Sequence, residues 1–321
     1  MSVIQKKLAV FPRVEISLLP TPFHRLDRLS DETGCELWIK RDDLTGFGFG
    51  GNKTRKFDFL IADALQKGCD SLIGIGANQS NFCRILSAAG SRYGLDVFLI
   101  LSGEKPEKPT GNLLIDHLLN ATIYHVPRSR RENRARELYD ELTARGRNVY
   151  FMPPGGSTPI GTLGYAAGFD EILRDIKQSD VNIRHIIHAS SSAGTQAGLV
   201  LGQAISGWNG RITGISVDVP EKDLAQNVYT LASQAGALLN VSVDPDLVHT
   251  DGAYIGEGYG IPTPACREAI QRFASREGIF LDTVYTGKGA SGLLDYCAKG
   301  LIPPDEPVLF IHTGGNIQLF E

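Results

Sequence analysis

Three loops hold the residues that could do chemistry. In the first, Gly46-Phe-Gly-Phe-Gly-Gly-Asn52-Lys53-Thr54, a lysine follows a run of glycines and opens a helical pattern. A positive charge at a helix N-terminus opposes the helix dipole, and the preceding glycines add a conformational cost. The amine of such a lysine sheds its proton readily, and a neutral amine can form a Schiff base with a carbonyl compound. The commoner fate of a lysine is a solvated surface. Two nucleotide motifs overlay the same loop and neither fits. Gly46, Gly48 and Gly51 match the dinucleotide fingerprint, but no acidic residue ends the following strand to bind a ribose. Asn52 stands between the last glycine and Lys53, which breaks the spacing of a phosphate-binding P-loop.

The second loop, Gly74-Ile-Gly-Ala-Asn78-Gln79-Ser80-Asn81, follows an apolar strand and opens a helix. Helix capping needs only one of its four polar side chains, so the others are available for a ligand, and Ser80 beside a neutral lysine could relay a proton. The third loop, His188-Ala-Ser-Ser-Ser192-Ala193-Gly194-Thr195, sets small hydroxyl residues and a glycine at a helix start. Either it caps its helix, or its N–H groups and hydroxyls bind an anion such as a phosphate. No arginine or lysine lies nearby in sequence, so neutral donors are expected to hold that phosphate. A reactive lysine and a phosphate cradle on one α/β sheet point to pyridoxal phosphate.

The elements that must position these loops are legible from Glu36 onward. Short apolar runs such as Glu36–Lys40, Leu72–Ile75, Val97–Leu101, His185–His188 and Val308–His312 alternate with helical stretches. Lys53–Lys67 is one such stretch, with Phe57, Leu60, Ile61, Ala64 and Leu65 on one face and Gly68 as its stop. Strands alternating with helices predict an α/β protein built on a parallel sheet, with ligands beyond the carboxyl ends of the strands. The Pro- and Gly-rich segment 153–164 divides the alternation into two blocks.

Composition narrows the function classes. The 321 residues carry 32 Lys plus Arg against 36 Asp plus Glu, which leaves no basic field for nucleic acid or anionic membrane. Five dispersed cysteines without a Cys-x-x-Cys pair, and no apolar run long enough to span a membrane, lead us to expect the cytoplasm. His185 and His188 stand three apart on a strand and so face opposite sides, which disfavours metal binding by that pair. His312 is expected to be structural. The Arg128–Arg136 cluster is balanced by Glu132 and Glu137 and reads as a solvated helix face.

The segment Lys40-Arg-Asp-Asp-Leu-Thr-Gly46, with Gly50-Gly-Asn52-Lys53-Thr-Arg-Lys56, resembles the 1-aminocyclopropane-1-carboxylate deaminase/D-cysteine desulfhydrase family. Leu19-Pro-Thr-Pro22, Gln79-Ser80-Asn81, Gly194-Thr-Gln-Ala-Gly198, Gly258-Tyr-Gly-Ile-Pro262, Val284-Tyr-Thr-Gly-Lys288 and His312-Thr-Gly-Gly315 extend the resemblance over nearly the whole chain. It implies a two-domain tryptophan-synthase-β-like fold, with residues 1–53 and 164–321 forming a large domain around an inserted 54–163. It also implies that Lys53 carries pyridoxal phosphate, Asn52 contacts its 3′ oxygen, and Ser192, Ala193, Gly194 and Thr195 hold its phosphate. Ser80, Tyr259 and Tyr285 match the catalytic positions; Ser80 and Asn81, then Gln79, are expected to bind the carboxylate of an amino-acid substrate, with Asn78, Tyr259 and Tyr285 also in the substrate site. Members are usually dimeric.

Two positions divide the family. The resemblance implies that Thr286 and Thr313 both contact the cofactor; deaminase-like members have glutamate and leucine at these places, whereas desulfhydrase-like members have hydroxyl residues. The resemblance therefore implies α,β-elimination of D-cysteine to pyruvate, hydrogen sulfide and ammonia. L-Cysteate sulfo-lyase, the cyclopropane deaminase and a catalytically silent binding protein are the alternatives.

Overall fold

The computed structural model describes residues 1–320 and contains two sheets. Ten strands form them: β1 (Phe23–Arg25), β2 (Leu37–Lys40), β3 (Ser71–Ala77), β4 (Asp96–Ser102), β5 (Thr122–Val126), β6 (Val149–Met152), β7 (His185–Ser190), β8 (Arg211–Ser216), β9 (His249–Asp251) and β10 (Val308–Ile311). One sheet runs β1-β2-β10-β7-β8-β9 and the other β5-β4-β3-β6. Every ladder is parallel except β1 with β2, a departure from the all-parallel expectation. Strand β1 has three residues, too few to show an alternating pattern in sequence.

The helices are α1 (Val3–Leu8), α2 (Asp27–Thr33), α3 (Lys53–Gln66), α4 (Asn81–Tyr93), α5 (Gly111–Leu118), α6 (Arg131–Ala144), α7 (Pro159–Gln178), α8 (Gly194–Ser206), α9 (Glu221–Leu238), α10 (Pro264–Glu277) and α11 (Thr286–Ala298). They cover both faces of each sheet because successive strand residues point to opposite sides. In β10, Leu309 and Ile311 join the core under α7, α8 and α9, while Val308 and Phe310 join the one under α2, α10 and α11. In the smaller sheet, Leu72 and Leu99 pack with residues of α3 and α4, and Ile73, Ile75 and Ile100 pack with Ala135, Leu138 and Leu142 of α6. Phe310 is fully buried, and truncating such a side chain to alanine costs about 3–5 kcal/mol.

The Lys40-Arg-Asp-Asp motif is a scaffold. Arg55 of α3 donates to both oxygens of Asp42, at 2.8 and 2.7 Å, and to both oxygens of Glu171 on α7, at 3.1 and 2.9 Å. Lys40 Nζ lies 2.7 Å from Glu171 and 2.5 Å from Asp175, and the Tyr165 hydroxyl donates to Asp42 at 2.5 Å. Burial alone would raise the Glu171 carboxyl, but Arg55 and Lys40 hold it down to about 2. Gly164 lets α7 meet α3, since a Cβ there would stand 2.2 Å from the Arg55 carbonyl oxygen. The start of α3, where Lys53 sits, is thereby locked to the large sheet. Among the described residues, no helix is long and apolar enough to cross a membrane.

Candidate active site

The carboxyl ends of β3 and β7, the turn after β10 and the starts of α3, α4 and α8 enclose a cavity of about 360 Å³. Asn52, Lys53, Ser80, Asn81, Ser192, Ala193, Thr195, Tyr259, Tyr285 and Thr313 all line it. Residues up to 261 positions apart in sequence thus meet in the place open parallel sheets reserve for ligands.

Lys53 opens α3 and is half-buried. Burial pulls its amine down to about 8, the direction expected from its place in sequence, though the cause is desolvation and not the helix dipole. Its loop is pinned from both sides. The Asn52 N–H donates to the Thr313 carbonyl at 2.9 Å, and Asn52 Nδ2 donates to Thr195 Oγ1 at 2.9 Å. Gly51 and Gly314 let these two turns touch, since a Cβ on Gly314 would come within 2.7 Å of the Gly51 Cα. The imidazole of His312 accepts from the Gly314 N–H at 3.2 Å, and its other nitrogen bonds the Phe280 carbonyl at 2.9 Å, a structural role.

Helix α8 begins without a side-chain cap: the Gly194 N–H is taken by the Ser192 carbonyl at 2.8 Å, which leaves the N–H groups of Thr195 and Gln196 open at the start of the helix. Lys56, one turn along α3 from Lys53, reaches this loop from below. A Cβ on Gly194 would stand 2.5 Å from Lys56 Nζ, which is why glycine occupies that position. Lys56 is fully buried and donates to the Gly155 carbonyl at 3.0 Å. Burial, then the charge of Lys53, drives its amine well below the usual lysine range. Neither lysine makes an ion pair with a described carboxylate. An amine and two open N–H groups thus stand where a phosphate would fit, and Lys56 comes to this place from 138 residues earlier in the chain, beyond the reach of any local motif.

Ser80 both caps α4, accepting from the Cys83 N–H at 3.2 Å, and lines the cavity. Asn81 lines it as well. Asn78 and Gln79 do not. Asn78 donates to the Glu104 carbonyl at 2.8 Å, while Gln79 accepts from the Asn112 N–H at 2.8 Å and donates to the Thr110 carbonyl at 3.2 Å. These two side chains tie the loop to segment 104–112 instead of facing a substrate.

The tyrosine pair is built by α11. Asp282 accepts from the N–H groups of Val284, Tyr285 and Thr286 at 2.8, 2.7 and 2.8 Å. Lys288 donates to the Ile255 and Gly258 carbonyls at 2.7 and 2.8 Å and so holds the Tyr259 loop against the helix. The two hydroxyls then meet at 2.5 Å. Burial raises both phenols above their ordinary range, so the pair enters the cavity protonated. Thr286 does not line the cavity: its hydroxyl donates to Asp282 Oδ1 at 2.6 Å and accepts from the Asp282 N–H at 2.8 Å. Of the two threonines expected at the cofactor, only Thr313 faces the space.

Arg128, Arg131 and Asp218 complete the lining. The reading of the arginine cluster as a solvated face is corrected for Arg131 alone, which is 15% exposed, while Arg128 lines the cavity and stays 62% exposed. The glutamate that follows Arg131 mimics a surface pattern, and only the fold shows which side the segment turns inward.

The donor set fits pyridoxal phosphate: an amine of lowered basicity, a helix start with open N–H groups and a second buried amine beneath it, and polar groups for an amino acid. Comparison with known proteins agrees. The family described as "Pyridoxal-phosphate dependent enzyme" matches residues 14–314. A protein of Pyrococcus abyssi (strain GE5 / Orsay) bearing the name "Putative 1-aminocyclopropane-1-carboxylate deaminase" is 40% identical over 318 residues, 98% of this chain and 94% of that protein. The "D-cysteine desulfhydrase" of Salmonella newport (strain SL254) is 37% identical over 321 residues, covering 98% of this chain and 97% of its own. The solved structure titled "Crystal Structure Analysis of the ACC deaminase homologue" superposes with a TM-score of 0.92 at 40% identity, over 100% of this chain and 97% of that one. The two-sheet architecture is the tryptophan-synthase-β-like fold of pyridoxal-phosphate enzymes. The chain belongs to the 1-aminocyclopropane-1-carboxylate deaminase/D-cysteine desulfhydrase family of pyridoxal-phosphate-dependent enzymes.

Proposed function

We propose that this enzyme is a carbon–sulfur lyase that converts D-cysteine to pyruvate, hydrogen sulfide and ammonia. One observation carries the choice over ring-opening deamination. Asp218 is the one carboxylate among the described lining residues, and it is engaged by Arg128 at 3.6 Å and Ser191 at 3.4 Å. With threonine at 286 and 313, neither position adds a carboxylate to the cavity lining, which suits a substrate that already has a good leaving group on its β-carbon.

Pyridoxal phosphate, when bound, supplies an electron-withdrawing ring that delocalises the charge left at the α-carbon. Lys53, Lys56, Asn52 and residues 192–195 would hold it. The freed Lys53 amine, lowered to about 8, is the base for the α-proton, with Ser80 at hand to relay it. Ser80 and Asn81 bind the substrate carboxylate. The protonated Tyr259–Tyr285 pair gives a proton to the departing sulfur. The 2-aminoacrylate released hydrolyses to pyruvate and ammonia.

The division into 1–53 with 164–321 and an inserted 54–163 is supported by the two separate sheets. A homodimer in the cytoplasm is part of the same proposal, by likeness to the family. The test of selectivity is Thr286→Glu combined with Thr313→Leu. We expect it to lower the rate of elimination from D-cysteine; an unchanged substrate profile removes the reason for preferring the lyase.

A further inference from the structure

A second cavity, of about 490 Å³, lies between α1, α3 and α7 and shares no lining residue with the active site. Its apolar wall comes from Ile4 and Leu8, one turn apart on the same face of α1, with Phe11 beyond them and Phe59 of α3. One carboxylate is set into this wall. The Asp170 side chain on α7 is 5% exposed, and both of its contacts fall on Oδ2: Gln5 Nε2 donates at 3.0 Å and Arg174 Nε lies at 3.3 Å. The Gln5 amide is oriented by the Ser2 N–H, which donates to Oε1 at 3.1 Å. Asp170 Oδ1 has no hydrogen-bond partner among the described residues. A nearly buried carboxylate oxygen without a donor is costly, and a cationic group in the cavity would remove that cost.

Two guanidinium groups line the same cavity. Arg174 is 55% exposed and engages Asp170 through Nε alone, and Arg13 is exposed and forms no ion pair with a described residue. Such groups bind a carboxylate through parallel N–H donors. We propose that this cavity is a second ligand site, and that it takes a zwitterionic α-amino acid with a large apolar side chain. The ammonium meets Asp170 Oδ1, the carboxylate meets Arg13 and the outer nitrogens of Arg174, and the side chain covers Ile4, Leu8, Phe11 and Phe59. An amino acid carries both charges on one carbon, which matches a carboxylate and a guanidinium in contact. A simple carboxylate would leave Asp170 Oδ1 bare. The volume is in the range of small-molecule sites. The site is independent of the elimination reading, since no bond is made or broken there. Its place still ties it to Lys53: Phe59 lies on the helix that Lys53 opens, and Asp170 precedes the Glu171 that holds Arg55 of that helix.

The test is calorimetric titration of holoenzyme with L-leucine while the Schiff-base absorbance is followed, with glycine, leucine amide and 4-methylpentanoate as comparison ligands. We expect leucine to leave the absorbance unchanged and to bind about tenfold or more tighter than each of the three, the scale of one charge-assisted contact or one buried side chain. Asp170→Asn should weaken leucine binding about tenfold. Arg13→Met, which removes an exposed side chain without an ion-pair partner and so keeps the fold, should weaken it about threefold. Leucine binding that shifts the absorbance and survives both substitutions would place the amino acid in the active site and overturn the proposal, as would no binding at all. 4-Methylpentanoate binding as tightly as leucine would overturn the choice of a zwitterion.

Discussion

Asn112 Nδ2 donates to Asn81 Oδ1 at 2.9 Å, and this bond decides which face Asn81 shows the cavity. Arg84 Nε donates to Asn112 Oδ1 at 2.8 Å, which fixes the Asn112 amide; Arg84 Nη2 also donates to the Gly50 carbonyl at 3.1 Å. With its carbonyl occupied, Asn81 has its NH₂ group left for the cavity, the polarity that the proposed substrate carboxylate needs. Arg84 therefore links the lysine loop to α4.

Asn112→Asp keeps the shape but replaces the donor with an acceptor, so Asn81 must turn its carbonyl inward. The KM for the amino-acid substrate should rise about tenfold, the value of one hydrogen bond to a charged group, with a smaller change in kcat. Steady-state kinetics check this. An unchanged KM would show that Asn81 does not bind the carboxylate.

Lys56→Met should weaken pyridoxal phosphate binding to the apoenzyme by about tenfold to a hundredfold, since it removes the buried amine beneath Gly194 that a phosphate would recharge. Affinity for pyridoxal, which has no phosphate, should be unaffected. Equal losses for both ligands would mean that Lys56 only supports the fold.

The lowered basicity of Lys53 sets a pH dependence. Only the neutral amine attacks a carbonyl, and its fraction grows as pH rises through about 8, not through the ordinary value of 10.5. The rate of reloading apoenzyme with pyridoxal phosphate should therefore climb between pH 7 and 9 and then level off. A rate still rising steeply at pH 10 contradicts the assignment, and Lys53→Ala should abolish the Schiff-base absorbance altogether.

Glu171 makes the fold sensitive to acid. Its folded value, about 2, lies below the ordinary 4.5. Its contribution to stability is thus complete above 4.5 and is lost as pH falls through about 2. Glu171→Gln should lower stability by about 3 kcal/mol at neutral pH, because it leaves Arg55 and Lys40 short of a buried partner. Its melting temperature should then fall less steeply than the wild type's between pH 5 and 2; parallel curves would rule out this ion pair as the cause.

Local patterns carried much of this architecture. The strand–helix alternation, the polar loops after β3 and β7 and the glycines before Lys53 each state their role within about ten residues. The rest depends on contacts across the chain. Lys56 acquires its meaning from Gly194, and Asn112 from Asn81 and Arg84. In sequence Arg131 reads as solvated because Glu132 follows it, and Asn78 and Gln79 read as available because nothing local shows segment 104–112 bonding to them. Helix α11, Thr286–Ala298, is hidden because Thr-Gly-Lys-Gly-Ala-Ser-Gly breaks helical periodicity; its glycines instead admit Ala189 and Ile215 of the neighbouring strands.

The most direct test of the central claim gives the holoenzyme D-cysteine, L-cysteine, L-cysteate and 1-aminocyclopropane-1-carboxylate in parallel, and follows pyruvate, 2-oxobutyrate and the released sulfur species. The account predicts pyruvate with sulfide from D-cysteine, and no 2-oxobutyrate at a comparable rate. Production of 2-oxobutyrate from the cyclopropane amino acid as the fastest reaction would contradict it.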